Sequence, residues 1–260
     1  MKIALTVGHS ILKNGLITSA DGIINEYKYC KEIAPLIKKY LEQLGHSVEL
    51  IICPEKVFNA AADERSYKLN IVNDKSRKFD LVVELHLNAF KSSTANGTEV
   101  YYYSNAGKVF ANRVQAKMIT KFRDRKVQQK TNLYILNSTT PPAILLELFF
   151  CTNKEDVEAG KDMDVIARLV AEGIAGKELK EAIKTPTKTI TKESPLSDVK
   201  WLQTRLSAKL GGLYAPLQIN GVYDNKTRIA VLIYWELLGW NKLGLDDGWR
   251  AGTKTINSLV

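Results

Sequence analysis

Five short stretches rich in β-branched, aliphatic and aromatic residues, each bounded by turn residues, predict β-strands in the first 150 residues. They are Ile3–Val7, Ser47–Ile52, Leu81–Leu85, Glu99–Tyr103 and Ile144–Phe149. Helical periodicity predicts helices over Tyr27–Leu44, Gly107–Phe122 and Val157–Leu179. Strands that alternate with helices are typical of an α/β fold, which we predict for residues 1–180.

The character of the chain changes after residue 180. The segment 181–195, EAIKTPTKTITKESP, is rich in Thr, Lys and Pro and has almost no large apolar side chain, so it predicts an extended linker that does not pack. Beyond it, apolar residues recur at helical spacing in DVKWLQTRLSAKL. We therefore predict a first domain over 1–180, a linker over 181–195 and a small, mainly helical domain over 196–260.

Composition excludes several classes of protein. Apolar residues make up 45% of the chain and charged residues 25%, which is ordinary for a soluble globular protein and excludes collagen, coiled coil and disorder. No run approaches the roughly 18 apolar residues of a membrane span, so we expect no membrane insertion. The start, MKIALTVGHS, is typical of a strand and not of a signal peptide, so we expect synthesis in the cytoplasm. Cys30, Cys53 and Cys151 are widely spaced, which predicts buried thiols.

The net charge of +9 favours an anionic partner, such as nucleic acid, an acidic membrane or a cell-wall polymer. Charge alone does not choose among them. Basic residues are dense between Lys108 and Lys130. We interpret this stretch as a solvated helix face, with a weak track for polyanions as the alternative.

Two histidines stand where predicted strands end. His9 follows the first strand through Gly8, and His86 follows the third, at the kind of position where α/β sheets collect their ligands. A catalytic zinc site commonly takes two histidines and one carboxylate. Two glutamates are candidates: Glu26 lies just before the first long helix, and Glu147 lies inside the apolar strand AILLELFF, where an unpaired charge costs several kcal/mol.

Each of these residues also has a purely structural interpretation. A histidine at a strand end is often only hydrogen-bonded, and a glutamate such as Glu26 complements the dipole at a helix start. Glu147 could be the buried partner of an arginine such as Arg65. His46 lies in a turn without a carboxylate motif nearby, and we assign it no function.

Four segments together carry a family resemblance. VGHS, INEYKYCKEIAPLIKKYLEQLGHSVEL, DLVVELHLNA and PAILLELFFCTNKED, in this order and spacing, resemble the zinc-dependent N-acetylmuramoyl-L-alanine amidases, which cut bacterial peptidoglycan. The resemblance covers nearly all of residues 1–180 and implies a mixed, twisted sheet flanked by helices. It implies one zinc ion per chain held by His9, Glu26 and His86, with Glu147 as the catalytic carboxylate.

The chain departs from the family's usual motifs at three points. It reads LTVGHSI where the family usually has D-P-G-H-G-G, and Phe149 stands where a glycine is usual. Glu84 stands where the serine of the usual S-I-H-A-N-A is found, and it is the next candidate for the base if a Glu147 variant keeps its turnover. Asn88 keeps its family position, and we predict that it orients the site or contacts substrate.

The segment after the linker resembles a peptidoglycan-binding three-helix domain with the hallmark L-Q-x-x-L followed by D-G-x-[FY]-G-x-x-T. The matching residues are Leu202, Gln203, Leu206, Asn220, Gly221, Tyr223 and Thr227, while Asp224 replaces a glycine. A second segment, LDDGWRAGTKTINSLV, has a similar order of residues. The resemblance implies that this domain binds the cell wall, with Tyr223 and Trp249 as candidate contacts. Core packing is the alternative for its aromatic residues.

These observations predict hydrolysis of the amide between N-acetylmuramic acid and the L-alanine of the stem peptide. The expected partner is cell-wall peptidoglycan and not nucleic acid. A phage or prophage endolysin, reaching the wall after release through a holin, is the preferred role. A mother-cell amidase of sporulation, a zinc peptidase or deacetylase acting on another wall component, and a wall-binding protein without activity are the alternatives.

Overall fold

The computed structural model describes residues 1–179, 185–240 and 247–260. It divides the chain into two compact units, Met1–Leu179 and Lys180–Val260. Residues 181–184 of the predicted linker lie outside the described residues, as do Leu245 and Asp246 of the second motif-like segment.

The first unit contains strands and helices in alternation. In chain order they are β1 (Lys2–Val7), α1 (Glu26–Gln43), β2 (Ser47–Ile51), α2 (Ala61–Val72), β3 (Leu81–Asn88), β4 (Thr98–Tyr102), α3 (Asn105–Met118), β5 (Asp124–Gln129), α4 (Tyr134–Asn137), β6 (Ala143–Phe150), α5 (Lys154–Gly160) and α6 (Met163–Ala175). The predicted α/β class is confirmed.

The six strands form one sheet in the order β2-β1-β3-β6-β4-β5. Strands β1, β2, β3 and β6 are parallel, whereas β4 runs antiparallel to β6 and parallel to β5. The sheet is therefore mixed, as predicted. Because successive side chains point to opposite faces of a strand, the apolar strands serve two cores. One core lies under α1, α3 and α6, and a smaller one lies under α2 and α4.

Three elements of the first unit were not predicted, namely helices α2 and α4 and strand β5. Helix α2 has no apolar stripe and buries Glu64 and Lys68 together with Val72, so its sequence does not show the usual helical periodicity. Strand β5 lies within the basic stretch that we interpreted as a helix face. That interpretation is wrong beyond α3, because the chain turns after Phe122, which packs in the core, and continues as an edge strand.

The helix predicted over Val157–Leu179 is two helices, α5 and α6. The break follows from Asp162, whose side chain accepts a hydrogen bond from the backbone N–H of Val165 and so caps a new helix. Helix α6 ends at Gly176, which has a φ of 67°, a left-handed conformation that favours glycine.

The second unit is small and mainly helical, as predicted, with α7 (Leu196–Leu210), α8 (Asn225–Leu237) and α9 (Thr253–Leu259) around one apolar cluster. The predicted linker is wrong in one respect, since Ile190 is fully buried in this cluster and pairs with Ala251 through two backbone hydrogen bonds. None of the helices in the described part of the chain is both long enough and apolar enough to cross a bilayer.

The motif residues of the second unit build a turn. The side-chain amide of Gln203 donates to Asn220 Oδ1, the carbonyl of Val222 and Thr227 Oγ1, and its oxygen accepts from the N–H of Gly221. Gly221 has a φ of 78°, and a Cβ there would lie 2.6 Å from a Leu196 side-chain atom. The L-Q and N-G positions of the motif thus have a structural role in this unit.

Candidate active site

Four of the predicted site residues, His9, Glu26, His86 and Glu147, meet at the carboxyl edge of three neighbouring strands, β1, β3 and β6. His9 lies two residues beyond β1. His86 does not follow β3 but lies within it, because the strand runs on to Asn88. His86 is the register partner of Glu147 on β6, so the two residues stand side by side on adjacent strands. The site therefore occupies the edge where ligands gather in α/β sheets.

A sharp turn brings His9 to this edge. His9 has a φ of 66°, a left-handed conformation that residues other than glycine rarely adopt. Where such residues do adopt it, they are often at functional sites. The N–H of Gly8, just before it, donates to the carbonyl of Leu85 at 3.0 Å. A Cβ on Gly8 would lie 2.2 Å from the imidazole of His86. Gly8 is therefore required by the close approach of the two histidine-bearing segments.

Glu26 is the first residue of α1 and reaches over the sheet edge. The side chain of Asn25 caps the helix by accepting a hydrogen bond from the N–H of Lys28. The two carboxylate oxygens of Glu26 accept from backbone N–H groups, Oε2 from Ala20 at 3.0 Å and Oε1 from Leu87 at 3.1 Å. These bonds hold the carboxylate in one orientation.

Both histidines direct a ring nitrogen at the same oxygen of Glu26. His9 Nε2 lies 3.2 Å and His86 Nδ1 lies 2.9 Å from Glu26 Oε1. Burial alone would raise the pKa of Glu26, but the two imidazoles hold it well below its usual range. Burial alone would lower the pKa of His86, but hydrogen bonds with Glu26 and Glu84 raise it to about 10. The Glu26 carboxylate thus interacts favourably with both imidazoles.

This donor set fits a zinc ion. One atom from each of His9, Glu26 and His86 lies within 4.8 Å of the other two. Ligand atoms of a tetrahedral zinc at ~2.0–2.1 Å from the metal are separated by about 3.3 Å, close to the two nitrogen–oxygen distances observed here. Two imidazoles and a carboxylate also match the ligands that catalytic zinc prefers.

Glu147 stands beside this triad with one oxygen unpaired. Its Oε2 is buried and has no hydrogen-bond partner among the described residues. Burial raises the pKa of Glu147 from 4.5 to about 7, with smaller and opposing effects from His86 and the neighbouring carboxylates. Arg65 is not its partner, because that guanidinium lies 5.7 Å from the ring of Tyr134. Glu147 is therefore suited to hold or release a proton near neutral pH.

Glu84, the alternative base, has its oxygens engaged elsewhere. Its Oε2 accepts from Lys68 at 2.9 Å and from Thr6 at 3.0 Å, and its Oε1 lies 3.1 Å from His86 Nε2. Lys68 and Glu84 form a buried ion pair, with side chains 1% and 2% exposed. Glu84 therefore contacts Nε2 of His86, the ring nitrogen that is not directed at Glu26. Sequence reasoning missed Lys68, whose only signal is that α2 lacks an apolar stripe.

Asn88 belongs to a polar cluster beside the site. It donates to Glu99, the register partner of Glu147 on β4, and Gln128 and Arg125 on β5 also donate to Glu99. The guanidinium of Arg125 lies 4.9 Å from the ring of Phe150. The structure thus places Asn88 next to the catalytic candidates, with its amide nitrogen already bonded to Glu99.

The two candidate wall contacts of the second unit differ in exposure. Tyr223 is 4% exposed, and its hydroxyl donates to the carbonyl of Gly248 at 2.9 Å, so its ring packs in the core. Trp249 is partly exposed, and two cations lie over its ring: Lys192 Nζ at 3.4 Å and Arg228 Cζ at 5.4 Å from the centroid. Of the two residues, only Trp249 offers a ring surface near solvent.

Comparisons with known proteins identify the same region of the chain. The model of the N-acetylmuramoyl-L-alanine amidase family matches residues 3–176. The catalytic domain of the CD27L endolysin, which is described as targeting Clostridia difficile, is similar in structure, with a TM-score of 0.67 and 47% sequence identity. The match covers 69% of this chain and 99% of that one.

Two curated relatives extend the comparison. An uncharacterized protein of Clostridium perfringens is 26% identical over 262 residues, which span 91% of this chain and 74% of the relative. A probable cell wall amidase, LytH of Staphylococcus saprophyticus, is 27% identical over 59% of this chain and 49% of the relative. The chain thus spans about half the length of LytH.

Proposed function

Because the chain belongs to the N-acetylmuramoyl-L-alanine amidase family, we propose that His9, Glu26 and His86 hold the zinc ion of this amidase and that Glu147 moves the protons of its reaction. The bond cleaved is the amide between N-acetylmuramic acid and the L-alanine of the peptidoglycan stem peptide. One observation carries the proposal: two histidine nitrogens meet one oxygen of Glu26 beside the unpaired Oε2 of Glu147.

A zinc ion held there would act as a Lewis acid, making a water molecule more acidic and the scissile carbonyl more electrophilic. The backbone N–H groups of Ala20 and Leu87 keep the Glu26 carboxylate in place, so the ligand set does not have to be reorganised during the reaction. Because Gly8 has no side chain, its backbone packs directly against the imidazole of His86, which holds the neighbouring His9 close to His86.

Glu147 transfers one proton from the attacking water to the leaving nitrogen. Its carboxylate takes a proton from the attacking water as the new carbon–oxygen bond forms. It then gives this proton to the nitrogen as the carbon–nitrogen bond breaks, so that the stem peptide leaves with a neutral amine. Burial raises the pKa of Glu147 and a zinc ion beside it would oppose that rise, so the carboxylate would be available to take the proton from water at neutral pH.

The reaction class is tested by the products released from purified cell walls. We expect free amino groups of L-alanine to appear in step with loss of turbidity, without new reducing sugar ends. New reducing ends would indicate a glycosidase, new amino groups other than those of L-alanine a peptidase, and released acetate a deacetylase. Any of these results without release of L-alanine termini would contradict the proposed reaction.

The biological role we propose is that of a phage or prophage endolysin, which reaches the wall through a holin. Its support is the 47% identity to the catalytic domain of an endolysin. A mother-cell amidase of sporulation has the same chemistry and is the second candidate. Transcription from a prophage lysis operon on induction would favour the first, and transcription restricted to the mother cell would overturn it.

We further propose that the second unit binds the cell wall, with Trp249 at the contact surface. The basic residues over its ring, Lys192 and Arg228, suit an anionic polymer. Catalysis and targeting should then be separable, because the four site residues all lie in the unit Met1–Leu179, which has its own core.

A chain ending at Leu179 is therefore expected to cleave small soluble muropeptides at a rate within about twofold of the full chain. On intact walls it should be slower, since the second unit raises the local concentration of the site on its substrate. The isolated residues 185–260 should sediment with purified walls without lysing them, partly in a salt-dependent way. Equal lysis by both chains, with the isolated unit left in the supernatant, would contradict the targeting role.

A further inference from the structure

Helix α2 buries two charged side chains one turn apart, and neither belongs to the proposed catalytic set. Glu64 and Lys68 are 6% and 1% exposed, and their spacing of four places them on the same face of the helix. Burying charge is costly unless it is paired and hydrogen-bonded. Each residue is linked to one histidine of the proposed zinc site through a bridging side chain: Lys68 to His86 and Glu64 to His9.

The contacts of Lys68 lead to His86. Lys68 and the hydroxyl of Thr6 both donate to Glu84 Oε2, at 2.9 and 3.0 Å, so Glu84 is the carboxylate of a buried ion pair. A carboxylate only accepts hydrogen bonds. The 3.1 Å contact between Glu84 Oε1 and His86 Nε2 therefore requires the hydrogen on Nε2. In the neutral ring, this leaves the lone pair on Nδ1, the nitrogen that faces Glu26.

The contacts of Glu64 lead to His9. The hydroxyl of Thr18 makes its shortest bond, 2.7 Å, as a donor to Glu64 Oε1, which also accepts from Ser10 at 2.9 Å. The hydroxyl has only one hydrogen, which it donates to Glu64. In its contact with His9 Nδ1, 3.5 Å away, the hydroxyl oxygen can therefore only accept a hydrogen bond. Nδ1 of His9 then carries the hydrogen, and Nε2 presents its lone pair to the point where Nδ1 of His86 is also directed.

We propose that α2 is the positioning element of the metal site: Lys68, through Glu84, and Glu64, through Thr18, set which ring nitrogen of His86 and of His9 binds the ion. His86 directs Nδ1 at the site and His9 directs Nε2. Because the two rings use different nitrogens, an intrinsic preference of histidine for one tautomer cannot explain which nitrogen binds the ion. The inference rests on the proposed function, because it assumes that these residues hold a metal. Partners of this kind typically raise metal affinity by about 10- to 100-fold.

Two variants change the partners with little change of shape. In Glu84→Gln the amide oxygen remains the acceptor for Lys68, so the amide N–H₂ turns toward His86 and disfavours a hydrogen on Nε2. In Thr18→Val the bridge between Glu64 and His9 is removed. Thr18→Ser restores the hydroxyl and serves as the rescue. Glu172→Gln is the matched control, because Glu172 is a buried carboxylate bonded to Lys117 and Arg168 and contacts none of the histidines.

The measurement is zinc affinity of the full chain by competition with a chromophoric chelator, together with the chemical shifts of the imidazole nitrogens. The chain has three histidines, so spectra of ¹⁵N-histidine protein are simple to assign. In the zinc-loaded parent we expect the hydrogen on Nδ1 of His9 and on Nε2 of His86. We expect Glu84→Gln and Thr18→Val each to weaken zinc binding by about 10- to 100-fold. Thr18→Ser and Glu172→Gln should stay within about threefold of the parent.

The outcomes separate this inference from the proposed function. If the parent binds no zinc, the proposed metal site fails and the inference falls with it. If the parent binds zinc but both variants bind it within threefold of the parent, the metal site stands and the positioning role of α2 is wrong. The parent's nitrogen shifts decide even if a variant does not fold, because a zinc-bound His86 with its hydrogen on Nδ1 overturns the proposal.

Discussion

Replacing Glu147 by glutamine is expected to lower turnover of soluble muropeptides by about 10²- to 10⁴-fold, the usual contribution of a general base. The amide has nearly the shape of the carboxylate but takes up no proton from water. Zinc content should stay at one ion per chain, because Glu147 makes no contact with the three ligand atoms that is short enough to be a hydrogen bond. Initial rates at fixed enzyme concentration and elemental analysis of the same sample check both parts.

The same substitution should change how stability depends on pH. In the metal-free protein the pKa of Glu147 is about 7, whereas its ordinary value is 4.5, so between these pH values the folded state holds a proton that the unfolded state has released. The free energy of unfolding should therefore fall as pH rises through this window, and the loss should be absent in Glu147→Gln. Urea denaturation at pH 4 and pH 8 should show a gain for the variant only at pH 8.

The matched control is Glu172→Gln, which changes a buried carboxylate remote from the described site contacts. It should keep the parent's turnover per folded molecule. Turnover of Glu147→Gln within about twofold of the parent would move the base to another residue.

Removal of the metal is the second large effect. Exhaustive chelation should abolish wall lysis, and one equivalent of zinc should restore it, because a zinc ion at this site would make the attacking water more acidic and polarise the scissile carbonyl. Glu26→Ala should behave like the chelated parent and fail to regain activity with one equivalent of zinc. Lysis that survives exhaustive chelation, with metal content verified by elemental analysis, would show that the reaction does not need the ion.

The sequence was sufficient where the position of a residue in the fold depends on a local pattern. Three local patterns predict where candidate catalytic side chains lie relative to the sheet. They are an apolar run ending in Gly-His, a long amphipathic helix preceded by a glutamate, and a glutamate inside an apolar strand. Their convergence then follows from topology, since β1, β3 and β6 are neighbours and end at the same edge. The register that pairs His86 with Glu147 could not be predicted, because it depends on how two distant strands align.

The sequence was insufficient where tertiary contacts override the local pattern. Helix α2 buries the charged side chains of Glu64 and Lys68 on the face where an apolar stripe is expected, so periodicity did not reveal it. Tyr223 was singled out as an aromatic in a binding motif, yet a small unit uses the same ring for its core. Glu84 was noted as a departure from a family motif and as the next candidate for the base, but its buried contact with Lys68 could not be predicted, because it joins a helix and a strand that are packed together only in the fold.

The central claim is that His9, Glu26 and His86 form one metal site at the carboxyl edge of the sheet. The most direct measurement is an anomalous difference map from crystals of the full chain loaded with one equivalent of zinc. The account predicts a single strong peak about 2.0–2.2 Å from His9 Nε2, His86 Nδ1 and a carboxylate oxygen of Glu26. A peak at any other place in the chain, or a zinc bound without Glu26, would contradict it.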